Sequence, residues 1–264
     1  MANVHVTHLH LCSPRIKKSK KLLILADLHE QLRPDYLSAW TETCPDAVLI
    51  AGDFIEHEDR RGRRSATLSL IEALANRYAV YYALGNHELG RRGDRRPIGV
   101  QPSRAGQSTP DGGTAEIVRL LCDRGACVLD NEFVFHHELC IGALSPAGGD
   151  WLYTDWLKDL AEQAGFRLLL CHHPEYYGPF VREYGLDLTV SGHAHGGQWR
   201  FFGRGVYAPG QGLFPRLTDG FYDNGRLLVS RGLADRWIVP RIANPKQSIL
   251  LHLHPSNQSS GDKI

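Results

Sequence analysis

The sequence has 264 residues, of which 42% are hydrophobic and 22% are charged, the composition of an ordinary globular protein. A chain of this length buries a sizeable core without disulfides or a structural metal, so a bound metal is expected to serve chemistry. The net charge of +1 gives no overall attraction to nucleic acid or to anionic membranes. No specific nucleic-acid or protein partner is therefore indicated.

The N-terminal stretch lacks the apolar segment of a secretory signal, and no run approaches the 18 apolar residues of a transmembrane helix. We therefore expect a cytoplasmic protein whose cysteines are reduced. The cysteines are widely spaced and include no CxxC pair: Cys12, Cys44, Cys122, Cys127, Cys140 and Cys171. Their expected role is that of small hydrophobic side chains.

Short apolar runs alternate with segments of helical periodicity as far as His195, a pattern that predicts an α/β fold. The predicted strands are 22–26, 47–51, 80–84, 167–171 and 186–190. Two helices are predicted between them, one capped by Ser65 and the other by Thr114. Residues just beyond the carboxyl ends of such strands line the functional crevice of α/β sheets.

After His195 the sequence becomes rich in strands joined by Gly, Pro and Asn-Gly turns. The predicted strands are 198–202, 220–223, 227–230 and 248–253. We expect this half to form a second sheet packed on the first, with Trp199, Phe201 and Phe202 between the sheets. Near the N-terminus, His5, His8 and His10 are expected to be exposed on an edge strand.

The whole of 1–254 is predicted to form one domain, followed by a polar tail at 255–264. Residues 90–113 interrupt this domain with a sequence rich in Gly, Pro, Ser and Arg that lacks apolar periodicity. An irregular insert is predicted there.

Five clusters of polar residues each follow a predicted strand directly. They are Asp27-Leu28-His29, Gly52-Asp53, Gly85-Asn86-His87-Glu88, His172 and Gly192-His193-Ala194-His195. Alternating residues of an extended chain point to the same side, so Asp27 and His29 are expected to aim at one point, as are His193 and His195. Each cluster alone is common by chance, whereas all five in order at strand ends are not.

The side chains in these clusters indicate a metal centre. Imidazole nitrogens, carboxylates and one amide oxygen, without a thiolate, suit Mn, Fe, Co or Zn. Seven such groups exceed the needs of one tetrahedral site, but two metals that share a bridging carboxylate would use them all. Two divalent ions bring four positive charges against the carboxylates of Asp27 and Asp53 alone, and the remaining charge suits a phosphate oxyanion. A dinucleotide-binding enzyme is disfavoured because no GxGxxG follows the first strand.

The ordered motifs DLH, GD, GNHE, a single His and GHAH resemble the calcineurin-like metallophosphoesterase superfamily over roughly residues 20–254. Residues 191–198 (SGHAHGGQ) and 227–232 (LLVSRG) resemble a bacterial phosphodiesterase-like branch more closely, one akin to the non-classical UDP-2,3-diacylglucosamine hydrolases. The resemblance implies an α/β fold in the form of a four-layer α/β/β/α sandwich, with two mixed sheets flanked by helices and the active site at the sheet edge.

The resemblance also implies a role for each residue of the site. The implied ligands of the first metal are Asp27, His29 and His195, those of the second are Asn86, His172 and His193, and Asp53 is the bridge. A metal-bridging hydroxide would be the nucleophile and His87 the general acid, with Glu88 holding the His87 imidazole. Two divalent ions are expected, Mn or Fe in preference to Zn or Co. His173, beside His172, is expected in the pocket wall.

The resulting prediction is an enzyme that hydrolyses phosphodiester or pyrophosphate bonds in a small-molecule or nucleotide-like substrate. Two alternatives remain open: a phosphomonoesterase, including a phosphoprotein phosphatase, and a non-catalytic scaffold with this fold. Arg91, Arg92 and Arg231 are possible substrate-binding residues, although solvated loop charge or structural pairing explains them at least as well. The motif GDFIE carries Glu56 where Asp is frequent in the family, which is expected to affect only the support of the metals.

Overall fold

The computed structural model describes residues 6–59, 61–90, 112–146, 154–235 and 240–256. The strands in chain order are β1 (Val6–Ser13), β2 (Lys20–Leu25), β3 (Ala47–Ala51), β4 (Ala79–Ala83), β5 (Ala126–Leu129), β6 (Glu132–His136), β7 (Leu139–Leu144), β8 (Phe166–Cys171), β9 (Leu188–Ser191), β10 (Arg200–Phe201), β11 (Arg204–Gly205), β12 (Tyr207–Ala208), β13 (Gly212–Leu213), β14 (Gly220–Tyr222), β15 (Leu227–Val229) and β16 (Ser248–Pro255). The helices are α1 (Tyr36–Thr41), α2 (Arg64–Ala75), α3 (Gly112–Asp123) and α4 (Trp156–Ala161).

Two six-stranded sheets organise these elements. The first sheet has the order β1-β16-β2-β3-β4-β5, and the second has the order β14-β15-β9-β8-β7-β6. Strands β2 to β5 are parallel to one another, as are β15, β9, β8 and β7. Antiparallel neighbours, such as β16 beside β2 and β6 beside β7, make both sheets mixed.

The predicted α/β/β/α sandwich is confirmed by its apolar side chains, which form one core between the two sheets and one core between each sheet and its helices. Ile24 and Leu49 of the first sheet pack against Leu168 and Val190 of the second in the core between the sheets. The opposite face of the first sheet packs against α1, α2 and α3, and the opposite face of the second sheet packs against α4. Strand β3 is buried along its whole length, as expected for a parallel strand covered on both faces.

The composition of the second sheet differs from the prediction. Strands β6 to β9 precede His195 yet belong to the second sheet, and β16, the last strand, returns to the first sheet between β1 and β2. Strand β16 is apolar on both faces, because Leu251 points into the core between the sheets and Leu250 toward the helices. A strand of this kind is stable only with covered faces and with neighbours on both edges.

Helix α2 begins at Arg64, so Ser65 lies inside the helix instead of capping it. The Asp59 carboxylate accepts hydrogen bonds from the backbone N–H groups of Arg63 and Arg64, at 2.9 and 3.4 Å. These contacts satisfy donors that a helix N-terminus leaves free, and the helix therefore starts earlier than predicted. Thr114 is likewise inside its helix, which begins at Gly112.

The aromatic residues after His195 do not pack between the sheets. Trp199, Phe201 and Phe202 are 38%, 58% and 106% exposed, since they lie in or next to the short hairpin of β10 and β11. His8 and His10 are exposed on the edge strand β1, as predicted, and His5 is outside the described residues. Most of the 90–113 insert is outside them as well. Across the described ranges, no helix is both long and apolar enough to traverse a lipid bilayer.

Candidate metal centre

The predicted ligands converge at one edge of the sandwich because they follow strands that end there. Asp27 follows β2, Asp53 follows β3 and Asn86 follows β4 of the first sheet. From the second sheet, His172 follows β8 and His193 follows β9. The carboxyl ends of the two parallel strand sets thus meet at the site, as in other α/β sheets.

The backbone of the ligand clusters is left-handed, not extended. Asp27, His29 and Asp53 have φ values of 53°, 47° and 56°, and His193 and His195 have φ values of 64° and 47°. Non-glycine residues in this region cost about 1–3 kcal/mol each and concentrate at functional sites. The prediction assumed that alternation along an extended chain points these side chains to one place, and that assumption was wrong. Sharp left-handed turns orient them instead.

Close approach of backbone segments explains the glycines beside the ligands. A Cβ on Gly192 would lie 2.8 Å from Asp27 Oδ2, and one on Gly232 would lie 2.6 Å from the same atom. A Cβ on Gly85 would collide with the carboxylate and backbone nitrogen of Asp53. Gly232, whose φ is 70°, was not identified from the sequence as part of the site.

Asp53 occupies the centre of the site. Its Oδ1 accepts a hydrogen bond from the His87 backbone N–H at 2.9 Å. Its Oδ2 lies 3.1 Å from His172 Nε2 and 3.7 Å from His29 Nε2, so one carboxylate oxygen faces imidazoles from both sheets.

The orientation of these imidazoles fits metal ligands. His172 Nδ1 is 2.7 Å from the Ala51 carbonyl oxygen, an acceptor that makes Nδ1 the protonated nitrogen. His29 Nδ1 is 2.8 Å from the Glu56 carboxylate. Metal-binding histidines typically donate their second N–H to such acceptors. In neutral rings Nε2 then carries a lone pair, and both lone pairs face the Asp53 carboxylate.

Three atoms at this point are buried without a hydrogen bond of acceptable geometry to the described residues: Asp53 Oδ2, His29 Nε2 and His172 Nε2. Buried acceptors left in this state are costly, and a cation between them would satisfy all three. The donor set therefore fits divalent metal ions.

The candidate ligands divide into two groups that meet at Asp53. Each group can offer ligand atoms within 4.8 Å of one another: Asp27, His29 and His195 in the first, and His172, His173 and His193 in the second. Asp27, Asp53 and His172 also satisfy this limit together. Asn86 is buried after the end of β4, next to His87, whose backbone N–H donates to Asp53. His173 thus lies within the second group, with its Nδ1 3.0 Å from Glu175, and not merely in the pocket wall.

Glu56 holds the imidazole of His87, a role that the sequence assigned to Glu88. Glu56 Oε2 lies 2.7 Å from His87 Nδ1, and Glu56 Oε1 is the acceptor for His29 Nδ1. Burial would lower the pKa of His87, but Asp53 and Glu56 raise it to about 9. For Glu56, burial alone would raise the pKa, but hydrogen bonds from the imidazoles of His29 and His87 lower it well below its usual range. His87 Nε2 lies 4.0 Å from Asp53 Oδ2.

The fully buried Glu88 carboxylate shapes the loop after β3. It accepts hydrogen bonds from the backbone N–H groups of Asp53, Phe54 and Ile55 at 2.8–3.0 Å, and from the Tyr82 hydroxyl. Burial and the nearby Asp53 charge raise the pKa of Glu88. The sequence showed an acidic residue next to His87 but gave no sign that its partners are the residues after β3.

Of the three arginines predicted to bind substrate, only Arg231 lies within the described residues. Arg231 packs against Gly196, the residue after His195: a Cβ on Gly196 would be 2.9 Å from the Arg231 Cγ. The Arg231 guanidinium is 3.7 Å from Asp219. Arg91 and Arg92 are outside the described residues.

Asn244, not identified from the sequence, donates to the carbonyl oxygens of His195 and Gln198 and fixes the turn between them.

Comparison with known proteins settles the family. The sequence profile of the family described as calcineurin-like phosphoesterase matches residues 20–197, which include all seven candidate metal ligands. The chain belongs to the calcineurin-like phosphoesterase family. Membership of this family implies divalent metal ions, and the donors described above fit them.

Three relatives of this family member illustrate the likeness. An uncharacterized metallophosphoesterase of Helicobacter pylori (strain J99) is 24% identical over 265 residues, covering 93% of this chain and 62% of that protein. The uncharacterized metallophosphoesterase Cj0846 of Campylobacter jejuni is 26% identical, covering 91% and 60%. Phosphodiesterase YaeI of Escherichia coli (strain K12) is 27% identical over 188 residues, covering 68% and 62%.

The chain spans about three fifths of the length of these three relatives. Their names do not mention UDP-2,3-diacylglucosamine, so that narrower resemblance stays a prediction.

Proposed function

We propose that this phosphoesterase hydrolyses phosphodiester or pyrophosphate bonds with a pair of divalent metal ions, and that His87 is the general acid. One ion would be held by Asp27, His29 and His195. The other would be held by Asn86, His172 and His193, and Asp53 would bind both. The observation that carries the proposal is the position of Asp53 Oδ2, which lies 3.1 and 3.7 Å from Nε2 atoms of the two groups. A single oxygen in that position suits a bridging ligand.

When bound, two divalent ions would supply an activated water molecule and neutralise charge on the phosphate. Donors without a thiolate favour Mn or Fe in the proposal, with Zn or Co as the other candidates. The protein must supply a proton to the leaving oxygen. His87 suits this task because Glu56 accepts from its Nδ1 at 2.7 Å, which orients the ring, and because the Asp53 and Glu56 carboxylates raise its pKa.

The preference for a diester or pyrophosphate bond is supported by the name of the Escherichia coli relative, a phosphodiesterase. An alkoxide leaving group needs a proton donor, and His87 lies at the partly exposed side of the site, with its side chain 19% exposed. Arg231 is proposed to contact an outer phosphate oxygen of the substrate. The same role for Arg91 and Arg92 rests on the sequence alone.

Metal-loaded protein tests the proposal on three substrates: bis-p-nitrophenyl phosphate, p-nitrophenyl phosphate and a pyrophosphate-linked sugar nucleotide. We expect turnover of the diester or the pyrophosphate to exceed that of the monoester, and a chelator to abolish it. Faster turnover of the monoester would instead favour a phosphomonoesterase. No turnover of any phosphoester by metal-replete protein would favour a non-catalytic scaffold.

Two variants separate metal binding from proton transfer. Asp53→Asn should lose metal and activity together. His87→Gln should keep its metal and lose kcat by about 100-fold to 10,000-fold on a substrate with an alkoxide leaving group, since p-nitrophenolate leaves without a proton. His136→Gln is the matched control, because His136 is a partly buried histidine with a hydrogen-bond partner, Tyr81, outside the site. Full metal content in the Asp53 variant, or normal turnover in the His87 variant, would contradict the assigned roles.

A further inference from the structure

Four histidines form a second cluster on the outer face of the first sheet. Register places His10 beside His252 in the parallel pair of β1 and β16, and His8 and His254 lie on the same face two residues away along each strand. The imidazoles stack as a continuous group, with ring centroids 4.6 Å apart for His10 and His252 and 5.3 Å apart for His10 and His254.

The nitrogens of this cluster approach each other in pairs. His10 Nδ1 is 3.0 Å from His254 Nε2, and His8 Nδ1 is 3.0 Å from His252 Nε2. Each contact is an imidazole N···N hydrogen bond. Two nitrogens bound to one tetrahedral zinc at 2.0–2.1 Å are about 3.3 Å apart, so a metal that replaced the shared proton would need little further separation of each pair. His10, His252 and His254 can offer ligand atoms that all lie within 4.8 Å of one another.

The surroundings leave this group accessible and oriented. His8 and His10 are exposed, and His252 and His254 are half-buried. Ser19 Oγ lies 3.2 Å from His254 Nδ1, which leaves Nε2 of that ring toward His10. Lys21, the register partner of His252 on β2, donates its ammonium group to the Thr43 carbonyl oxygen at 2.6 Å.

The cluster is separate from the catalytic site. His252 pairs with Lys21, which precedes Asp27 by six positions along β2. At a rise of about 3.3 Å per residue, the two sites are roughly 20 Å apart, at opposite ends of the strand.

We propose that His10, His252 and His254 form a second metal site, selective for late divalent ions such as Ni²⁺, Zn²⁺ or Cu²⁺, with His8 as the neighbouring contact. An all-imidazole donor set favours these ions over Mg²⁺ or Ca²⁺, which prefer oxygen ligands. The site joins β1 and β16, whose paired residues His10 and His252 are 242 positions apart in the sequence. A bound ion would therefore link the two ends of the described chain. This inference does not depend on the proposed activity.

The test is metal stoichiometry on protein without a polyhistidine tag. In equilibrium dialysis, we expect the wild-type chain to bind one more equivalent of Ni²⁺ than the double variant His10→Gln/His254→Gln. The candidate metal centre is intact in both proteins, so the difference reports the histidine cluster alone. His136→Gln/His137→Gln is the matched control: it removes another adjacent imidazole pair, with ring centroids 4.6 Å apart, that belongs to no such three-ligand group among the described residues. The control should retain the wild-type stoichiometry.

A second readout is the thermal midpoint. Ni²⁺ at about 100 times its Kd should raise the Tm of the wild-type chain by roughly 5 °C more than that of the double variant. His252→Gln serves as an independent variant, and circular dichroism confirms that each variant is folded. Equal Ni²⁺ stoichiometry in wild type and both folded variants would overturn the proposal, as would equal Tm shifts.

Discussion

Replacing Glu56 with glutamine tests whether one carboxylate supports both a metal ligand and the proposed general acid. Glu56 accepts from His29 Nδ1 at 2.8 Å and from His87 Nδ1 at 2.7 Å. A glutamine side chain has one acceptor oxygen and an NH₂ donor, so only one of the two imidazole N–H groups keeps its acceptor. The other imidazole faces a donor and must rotate or change tautomer.

The magnitude follows from the exposure of the residues involved. Loss of a contact that orients a metal-binding histidine typically weakens metal binding by about 10- to 100-fold, or about 1.4–2.8 kcal/mol. The Glu56 side chain is 30% exposed, so water replaces part of the lost contact, whereas His29 is 9% exposed. We therefore expect Glu56→Gln to weaken binding of the ion beside His29 by roughly tenfold, near the lower end of that range.

The same substitution should change the pH dependence of turnover. Glu56 is one of the groups that raise the pKa of His87 to about 9, so its neutralisation lowers that pKa. A general acid acts in its protonated form, and activity is lost as pH rises through its pKa. The alkaline limb of the kcat–pH profile should therefore lie at lower pH in Glu56→Gln than in wild type.

Metal titrations followed by activity and by calorimetry, with kcat–pH profiles on the best substrate, measure both effects. Glu58→Gln is the matched control, because it makes the same change of charge at an exposed position two residues away. Wild-type metal affinity together with an unshifted alkaline limb in Glu56→Gln would refute the reasoning.

Three further predictions address packing, thiol accessibility and metal linkage. Gly85→Ala should lose metal binding, because its Cβ would displace Asp53, whereas Gly178→Ala should bind metal normally, since nothing lies within 4 Å of its Cβ; equal metal content in the two would contradict this. In native protein, iodoacetamide should modify Cys12, Cys44 and Cys122. It should spare Cys140 and Cys171, since burial raises their thiol pKa, to about 11 for Cys140, and fast modification of either would show an open core. Removing metal with a chelator should lower the Tm by several degrees, as unpaired buried ligands are left behind, and an unchanged Tm would argue against linkage.

Much of the site could be predicted from the sequence because its signals are local. Each ligand cluster directly follows an apolar run, and β2, β3, β4, β8 and β9 end where these runs end, within about two residues. The order of the clusters along the chain then matches a family whose sequence profile covers 20–197. Strand ends and ordered motifs are properties of short segments, which a sequence displays directly.

The remaining features depend on contacts between distant segments. Glu56 and Glu88 follow different strands, and Glu56 takes the role expected of Glu88: Glu56 reaches His87, and Glu88 reaches the backbone of the loop after β3. An acidic residue three positions after Asp53 was the available signal for Glu56. The return of β16 to the first sheet was equally invisible, because its apolar residues fit either sheet.

The left-handed turns were missed for a different reason. Asp27 and His29 resemble an alternating strand pattern in the sequence. Asp and His are enriched among non-glycine residues with positive φ, but that preference is too weak to predict the turns. Tertiary contacts impose them. His29 N–H donates to the Asp53 carbonyl oxygen at 2.9 Å, and Asp27 N–H donates to the Gly52 carbonyl oxygen at 3.0 Å, so the loop after β2 is held against the loop after β3.

Contacts across the sandwich couple the metal site to the packing of the two sheets. The Asp27 carboxylate, from the first sheet, accepts the backbone N–H of His193, from the second, at 2.9 Å. In the opposite direction, His172 Nδ1 contacts the Ala51 carbonyl oxygen at 2.7 Å. Each sheet thus orients proposed metal ligands of the other, and neither sheet alone can present a complete set. Because separate sheets would leave these carboxylates and imidazoles unaligned, metal affinity should depend on the sandwich having closed, and a bound ion would in turn stabilise the strained turns that surround it.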